Sequence, residues 1–468
     1  MHISSLPGGY SVGSFGREAK RFIDLLSDGG FSVWQVLPFC MPDECGSPYK
    51  SLSAFGANPY FIDLETLYEK SLITAAELEG ARERTPHLCE FDRLEAERLP
   101  LLRLAASRVL DRSEIIGYVS GRSELNLAAL FFALRAKNGG TPWQRWSDNT
   151  PDADELFFWQ FIQYEFFTQW EEIHSYANER GIQIIGDMPI YVALDSADVW
   201  GEPDQFLLDE SGYPTAVAGV PPDYFAKDGQ LWGNPLYDWE RMRRDGFSWW
   251  KRRLEFSLTM FDGVRIDHFR GFEAYWAVPS EAKTAKEGSW QIGPGREFID
   301  LIKQVAGDSL IIAEDLGDIT REVEELVEYS TFPGMRVFQF AFLGDPKTPH
   351  LPHNYIKNCV AYSGTHDNNT LLGYVWEMDG DTRERVLKYC GASGRSWEDG
   401  CRAIIRTLMA SAAGLVILPV QDLVAFGADT RMNTPGTSEK NWAFRLSSEQ
   451  MRQIPTEEIA SLNSLFDR

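Results

Sequence analysis

Parallel strands alternating with helices, closed into a (β/α)8 barrel, are the architecture this chain predicts, and two observations predict it. The first is a series of seven short, nearly unbroken apolar runs, the pattern of strands buried on both faces of a parallel sheet. They lie at 33–38 (VWQVLP), 182–189 (IQIIGDMP), 264–268 (VRIDH), 310–317 (LIIAEDLG), 335–342 (MRVFQFAF), 359–367 (CVAYSGTHD) and 415–422 (LVILPVQD). The second is that helix-period stretches at 17–26, 298–305 and 402–412 fall between several of them, as βαβ units require. An eighth strand is expected at the very start, in His2-Ile3-Ser4-Ser5-Leu6-Pro7, short as though its first residues were clipped. Polar residues gather at the C-terminal ends of the runs, where barrels of this kind hold their active sites.

The chain of 468 residues is expected to be one catalytic barrel with insertions at about 39–66 (a loop), 67–178 (a helical subdomain) and 193–250 (a loop-like, lid-bearing region). Within the helical part, Phe157, Phe161, Tyr164 and Phe167 recur at helical spacing and read as core. A net charge of −24 argues against nucleic acid and against docking on anionic membranes, but a neutral ligand such as a sugar tolerates it. Aromatics make up 13% of the chain, with 15 Trp, enough to supply stacking platforms for flat ligand faces. Cys40, Cys45, Cys89, Cys359, Cys390 and Cys401 show no metal-type CxxC spacing and read as free thiols of a reducing cytosol. The opening MHISSLPGG has neither the charged nor the apolar region of a signal peptide, and no apolar run reaches membrane-spanning length. A cytoplasmic protein, monomeric or weakly dimeric, is expected.

The chemistry centres on GVRIDHFRG at 263–271. Side chains at i and i+2 of a strand share a face, so Arg265 sits beside Asp267, and a neighbouring positive charge favours an ionised carboxylate. That is what a carboxylate nucleophile requires. Alone, the pair would read as a structural ion pair; the acids at other strand ends carry it further. Asp187 ends IIGDMP, Glu314 follows IIA, and Asp367 follows SGTH. Carboxylates converging on a barrel mouth bind a divalent cation or work on a glycoside, and no stretch here has the form of a metal-binding loop. Glycoside chemistry needs one ionised and one protonated carboxyl group. Asp267 suits the first role. Glu314 suits the second, although periodicity does not choose between it and the adjacent Asp315.

The motifs HISSLPG, GSPYKSLSAFGANP, GDMPIYVALDSADVW, AGVPPDYFAKDGQLWGNPLYDW, VRIDHFRGFEAYW, IIAEDLG, YSGTHDNNT and MNTPGTSEKNWAFR run in order from His2 to about Arg445. Together they resemble the 4-α-glucanotransferase (amylomaltase, disproportionating enzyme) family, glycoside hydrolase family 77 of the α-amylase clan. The resemblance implies a retaining double displacement on α-1,4-glucans. In it Asp267 is the nucleophile, Glu314 the acid/base and Asp367 a third carboxylate that binds sugar hydroxyls. It also implies substrate contacts from Tyr49, Asp187, Arg265, His268 and His366, from Tyr224, Phe225 and Trp232 of a lid, and from Asn433 and Pro435 of a second rim loop. Donors are α-1,4-glucans and maltooligosaccharides, acceptors are glucose or maltooligosaccharides, and no cofactor or metal is implied. An α-glucan hydrolase on the same scaffold and a catalytically silent glucan-binding protein are the alternatives.

Overall fold

A computed structural model describes residues 1–43, 46–222, 227–392, 396–437 and 440–468. Its strands, in chain order, are β1 (Val33–Gln35), β2 (Gln183–Met188), β3 (Ala216–Val220), β4 (Gln230–Pro235), β5 (Gly263–Ile266), β6 (Ala274–Pro279), β7 (Ser289–Ile292), β8 (Leu310–Ala313), β9 (Gly334–Val337), β10 (Cys359–Tyr362) and β11 (Leu415–Ile417). All seven predicted runs overlap a strand, and these pair in parallel in the order β1-β2-β5-β8-β9-β10-β11.

The period-2 alternation of a strand sorts their side chains. Ile185, Ile312, Met335, Val337, Val360 and Tyr362 form one buried cluster, while Ile184, Met188, Val264, Ile266, Ile311 and Ala313 belong to the larger core. The hydroxyl of Tyr362 on β10 donates to Oε1 of Gln35 on β1 at 3.0 Å. Helices such as Arg296–Ala306 and Trp397–Met409 connect the strands, Arg17–Asp28 leads into β1, and the whole is a (β/α)8-type barrel.

The expected eighth strand does not form. Ile3–Ser5 is instead a 3-10 turn, closed by Ser5 N–H to His2 C=O and Leu6 N–H to Ile3 C=O. Its outer groups pair with loops: Gly13 N–H donates to Ser4 C=O and Leu446 N–H to Ser5 C=O. The segment still adjoins β1, because the Trp34 indole donates to Met1 C=O at 2.6 Å and Leu37 N–H to His2 Nδ1 at 3.3 Å.

Between β1 and β2 lie the predicted helices, ending in the 27-residue Ala153–Glu179, which Asp152 caps by accepting from Asp154 and Glu155 N–H. Phe157, Phe161 and Phe167 are buried as expected. Tyr164 is only half-buried and donates its hydroxyl to Glu114 at 2.6 Å. The region read as loop-like after β2 is better ordered than its composition suggests. There β3 and β4 join β6 and β7 in a four-stranded antiparallel sheet, order β4-β3-β6-β7. Small residues in AVAGV and the Gly and Pro of QLWGNP hide these strands from propensity; β3 is made by pairing with Trp276 and its neighbours on β6, and β4 by pairing with β3. Among the described residues no helix is long and apolar enough to cross a membrane.

One close approach tests the barrel packing. A Cβ on Gly186 of β2 would fall 2.3 Å from the ring of Phe261. Gly186→Ala is therefore expected to lower stability by roughly 1–3 kcal/mol, read as a lower urea midpoint with unchanged slope. Wild-type stability in the variant would contradict that packing.

Candidate active site

Polar side chains converge where β2, β5, β8 and β10 end. β2 and β5 pair with Asp187 opposite Arg265. The buried Arg265 guanidinium forks between two carboxylates. Nη1 donates to both Asp187 oxygens at 2.7 and 2.8 Å, and Nη2 donates to Asp267 Oδ1 at 2.8 Å. Burial alone would weaken its charge, but Asp187 and Asp267 outweigh burial and hold Arg265 firmly protonated. Asp187 Oδ2 also accepts the Tyr49 hydroxyl at 2.8 Å. The Tyr49 ring stacks on His366 with centroids 5.0 Å apart, and Trp442 leans on both.

Glu314 follows β8 and is 9% exposed. Its Oε2 accepts His268 N–H at 2.7 Å and its Oε1 accepts Leu316 N–H at 3.0 Å. His268 has a left-handed backbone, φ 50°, as the chain turns from β5 into the 3-10 segment Phe269–Phe272, and in that turn its N–H meets Glu314. Burial, reinforced by the charge of Asp267, pushes the Glu314 carboxyl up to about 8, against the opposing pull of Arg265 and the His268 N–H. Asp315 serves elsewhere, accepting Met335 N–H at 2.6 Å and Arg336 Nη1 at 2.9 Å. The two adjacent acids are thus sorted: Glu314 engages the β5 turn and Asp315 engages β9.

Burial pushes the His268 imidazole down to about 4, leaving it neutral, and Trp232 of β4 packs edge-on against it with centroids 4.9 Å apart. Asp367 lies on the loop after β10, exposed. Its Oδ1 accepts Asn433 Nδ2 at 2.6 Å and lies 3.4 Å from His366 Nε2, while Arg431 donates to its carbonyl at 2.5 Å. Asn433 N–H donates in turn to His366 C=O at 3.0 Å.

The structure therefore joins Tyr49, Asp187, Arg265, Asp267, His366, Asp367 and Asn433 by direct contacts, and places Glu314, His268 and Trp232 beside them. Pro435 is exposed in the turn after Asn433. Tyr224 and Phe225 lie outside the described residues. Three residues that sequence reasoning did not single out also come here: Trp442, Arg431 and Tyr191, the last stacked on Tyr237 and 6.2 Å from the Trp232 ring. Trp442 and Tyr191 had a signal, their places in MNTPGTSEKNWAFR and GDMPIYVALDSADVW; Arg431 carried none beyond proximity to a motif. Among the described residues no group of His, Cys, Asp and Glu is arranged to hold a metal ion.

A parallel barrel with acids gathered about an arginine at its mouth defines a class, the barrel enzymes of glycosidic-bond chemistry. The 4-alpha-glucanotransferase family, glycoside hydrolase family 77, matches residues 1–451, and the chain belongs to it. It is 41% identical to a Clostridium butyricum 4-alpha-glucanotransferase over the full length of both. It is 43% identical to that of Thermus thermophilus, covering 95% of this chain and 93% of the relative. Among solved structures, amylomaltase from Streptococcus agalactiae in complex with acarbose superposes with a TM-score of 0.96 at 35% identity, covering 100% of this chain and 98% of that one.

The raised Glu314 pKa has a consequence for stability. The folded protein keeps a proton there that the unfolded chain releases above its usual value of 4.5, so this stabilisation is complete below 4.5 and lost as pH rises toward 8. Glu314→Gln cannot ionise. Its stability relative to wild type is expected to rise across that interval by on the order of a few kcal/mol, read from denaturant melts at several pH values. A difference independent of pH would contradict a proton held by burial.

Proposed function

We propose that this chain transfers α-1,4-glucan segments between maltooligosaccharides by a retaining double displacement, with Asp267, Glu314 and Asp367 as the catalytic carboxylates. In the first step the Asp267 carboxylate attacks the anomeric carbon, the glycosidic C–O bond breaks, and the Glu314 proton passes to the leaving oxygen. In the second, an acceptor 4-hydroxyl attacks the glycosyl-enzyme, gives its proton to Glu314 and frees Asp267. Asp367, beside His366 and Asn433, hydrogen-bonds sugar hydroxyls and favours a distorted ring. The observation that carries this reading is the contrast between two acids. Asp267 touches a guanidinium, whereas Glu314 is buried and holds its proton to about pH 8. One nucleophile and one acid is the division that glycoside chemistry needs.

Transfer in place of hydrolysis needs water kept from the intermediate. Trp232 against His268 supplies one wall and Tyr49 lines another; Tyr224 and Phe225 are read as lid residues on the family resemblance alone. The chain is read as one catalytic barrel with its insertions at 39–66, 67–178 and 193–250, working in the cytoplasm as a monomer or weak homodimer. The five described cysteines, all unpaired, accord with a reducing compartment.

Incubation with maltotriose alone is expected to give glucose and a ladder of longer oligosaccharides with constant reducing ends. Glu314→Gln should lower that rate by roughly 10²–10⁴-fold, the usual scale of general acid–base catalysis. Rising reducing ends without a ladder would mean hydrolysis, and an unchanged rate in the variant would remove Glu314 from the mechanism.

A further inference from the structure

Lining the same cavity as Asp187, Arg265 and His366, the four-residue helix Val420–Leu423 that follows β11 buries two polar side chains, Gln421 and Asp422. Asp422 is 2% exposed. Its Oδ2 accepts the Ser363 hydroxyl at 2.5 Å and its Oδ1 accepts Leu371 N–H at 2.7 Å. Ser363 directly follows β10 and Leu371 opens the helix Leu371–Glu377, so one carboxylate closes both ends of the loop that carries His366 and Asp367. Gln421 Nε2 donates to Thr430 C=O at 3.1 Å, at the root of the loop whose Arg431 and Asn433 hold Asp367. Gln339 adds a third fastening by donating to Asn369 C=O at 2.7 Å.

A buried carboxylate is costly unless its oxygens are satisfied. Here a hydroxyl and a backbone amide satisfy them, with no ion pair to Asp422 among the described residues. An apolar residue would avoid that cost but would leave two loop ends untied. At 2% exposure and with each oxygen accepting from the protein, Asp422 is engaged with the loops.

We infer that Asp422, with Gln421, is a positioning residue for transfer: it ties together the two loops that present Asp367 and Asn433, and so fixes where the Asp367 carboxylate stands at the cleft. This rests on the role given to Asp367 above.

A double-mutant cycle tests it. Asp422→Ala is expected to lower maltotriose transfer about 10²-fold, the scale of an ångström's misplacement, chiefly in kcat and not in KM. Asp422→Asn keeps an acceptor for Leu371 N–H and offers a donor to Ser363, so it should recover most of the rate. In an Asp367→Ala background, Asp422→Ala should cost little more, because the carboxylate it positions is gone. An equal loss in both backgrounds would overturn the proposal, as would wild-type transfer by folded Asp422→Ala. Should Asp422→Ala not fold, Ser363→Ala and Gln421→Ala each remove one fastening and serve in the same cycle. If Asp367→Ala by itself transfers at the wild-type rate, the role of Asp367 fails and this proposal falls with it, an outcome distinct from the failure of Asp422 alone.

Discussion

The guanidinium of Arg265 is the contact on which the site depends. It is 5% exposed and ties the end of β2 to the end of β5 through Asp187 and Asp267. Removing one partner of such a buried pair costs about 3–5 kcal/mol, because the remaining charge is left uncompensated. Strand register makes the contact possible. With Asp187 opposite Arg265 and Asp267 two residues further along β5, a single forked side chain reaches both acids. A lysine could not divide three hydrogen bonds between two carboxylates in that fixed geometry.

From that fork the rest of the cleft is arranged outward. Asp187, held from one side by Arg265, takes the Tyr49 hydroxyl on the other, and Tyr49 passes the order on by stacking against His366. His366 and its neighbour Asp367 are gripped by Asn433 and Arg431 from the far rim. Across the cleft the left-handed turn at His268 gives its N–H to Glu314 and its ring to Trp232. The two acids of the pair thus differ in surroundings more than in chemistry: one rests on a cation, the other on backbone amides in a dry setting. That difference divides their roles.

Much of this was legible in the chain. The seven barrel strands announced themselves as unbroken apolar runs because both their faces are covered, and the acids at their ends followed from where a barrel places function. The i, i+2 spacing in VRID gave the Arg265–Asp267 contact directly. Other features depended on contacts distant in sequence. The choice between Glu314 and Asp315 turns on Met335 and Arg336 claiming the latter, which no local period shows. The antiparallel sheet that carries Trp232 is made by the pairing of β4 with β3 and of β3 with β6, and not by propensity. The eighth strand failed because Ser4 and Ser5 spend their backbone groups on turns and on loops at Gly13 and Leu446. Arg431 entered the site from just outside the motif that holds Asn433, Pro435 and Trp442, with no local signal of its own.

The most direct test of a nucleophile held by Arg265 and an acid held by burial is to trap the covalent intermediate. Glu314→Gln would be incubated with a maltosyl fluoride, whose leaving group departs without an acid, while the missing base slows release of the sugar. Peptide mass spectrometry is then expected to find one maltosyl unit on the peptide holding Asp267, and none when Asp267→Asn is added. A sugar on any other residue, or no adduct while fluoride is released, would contradict the account.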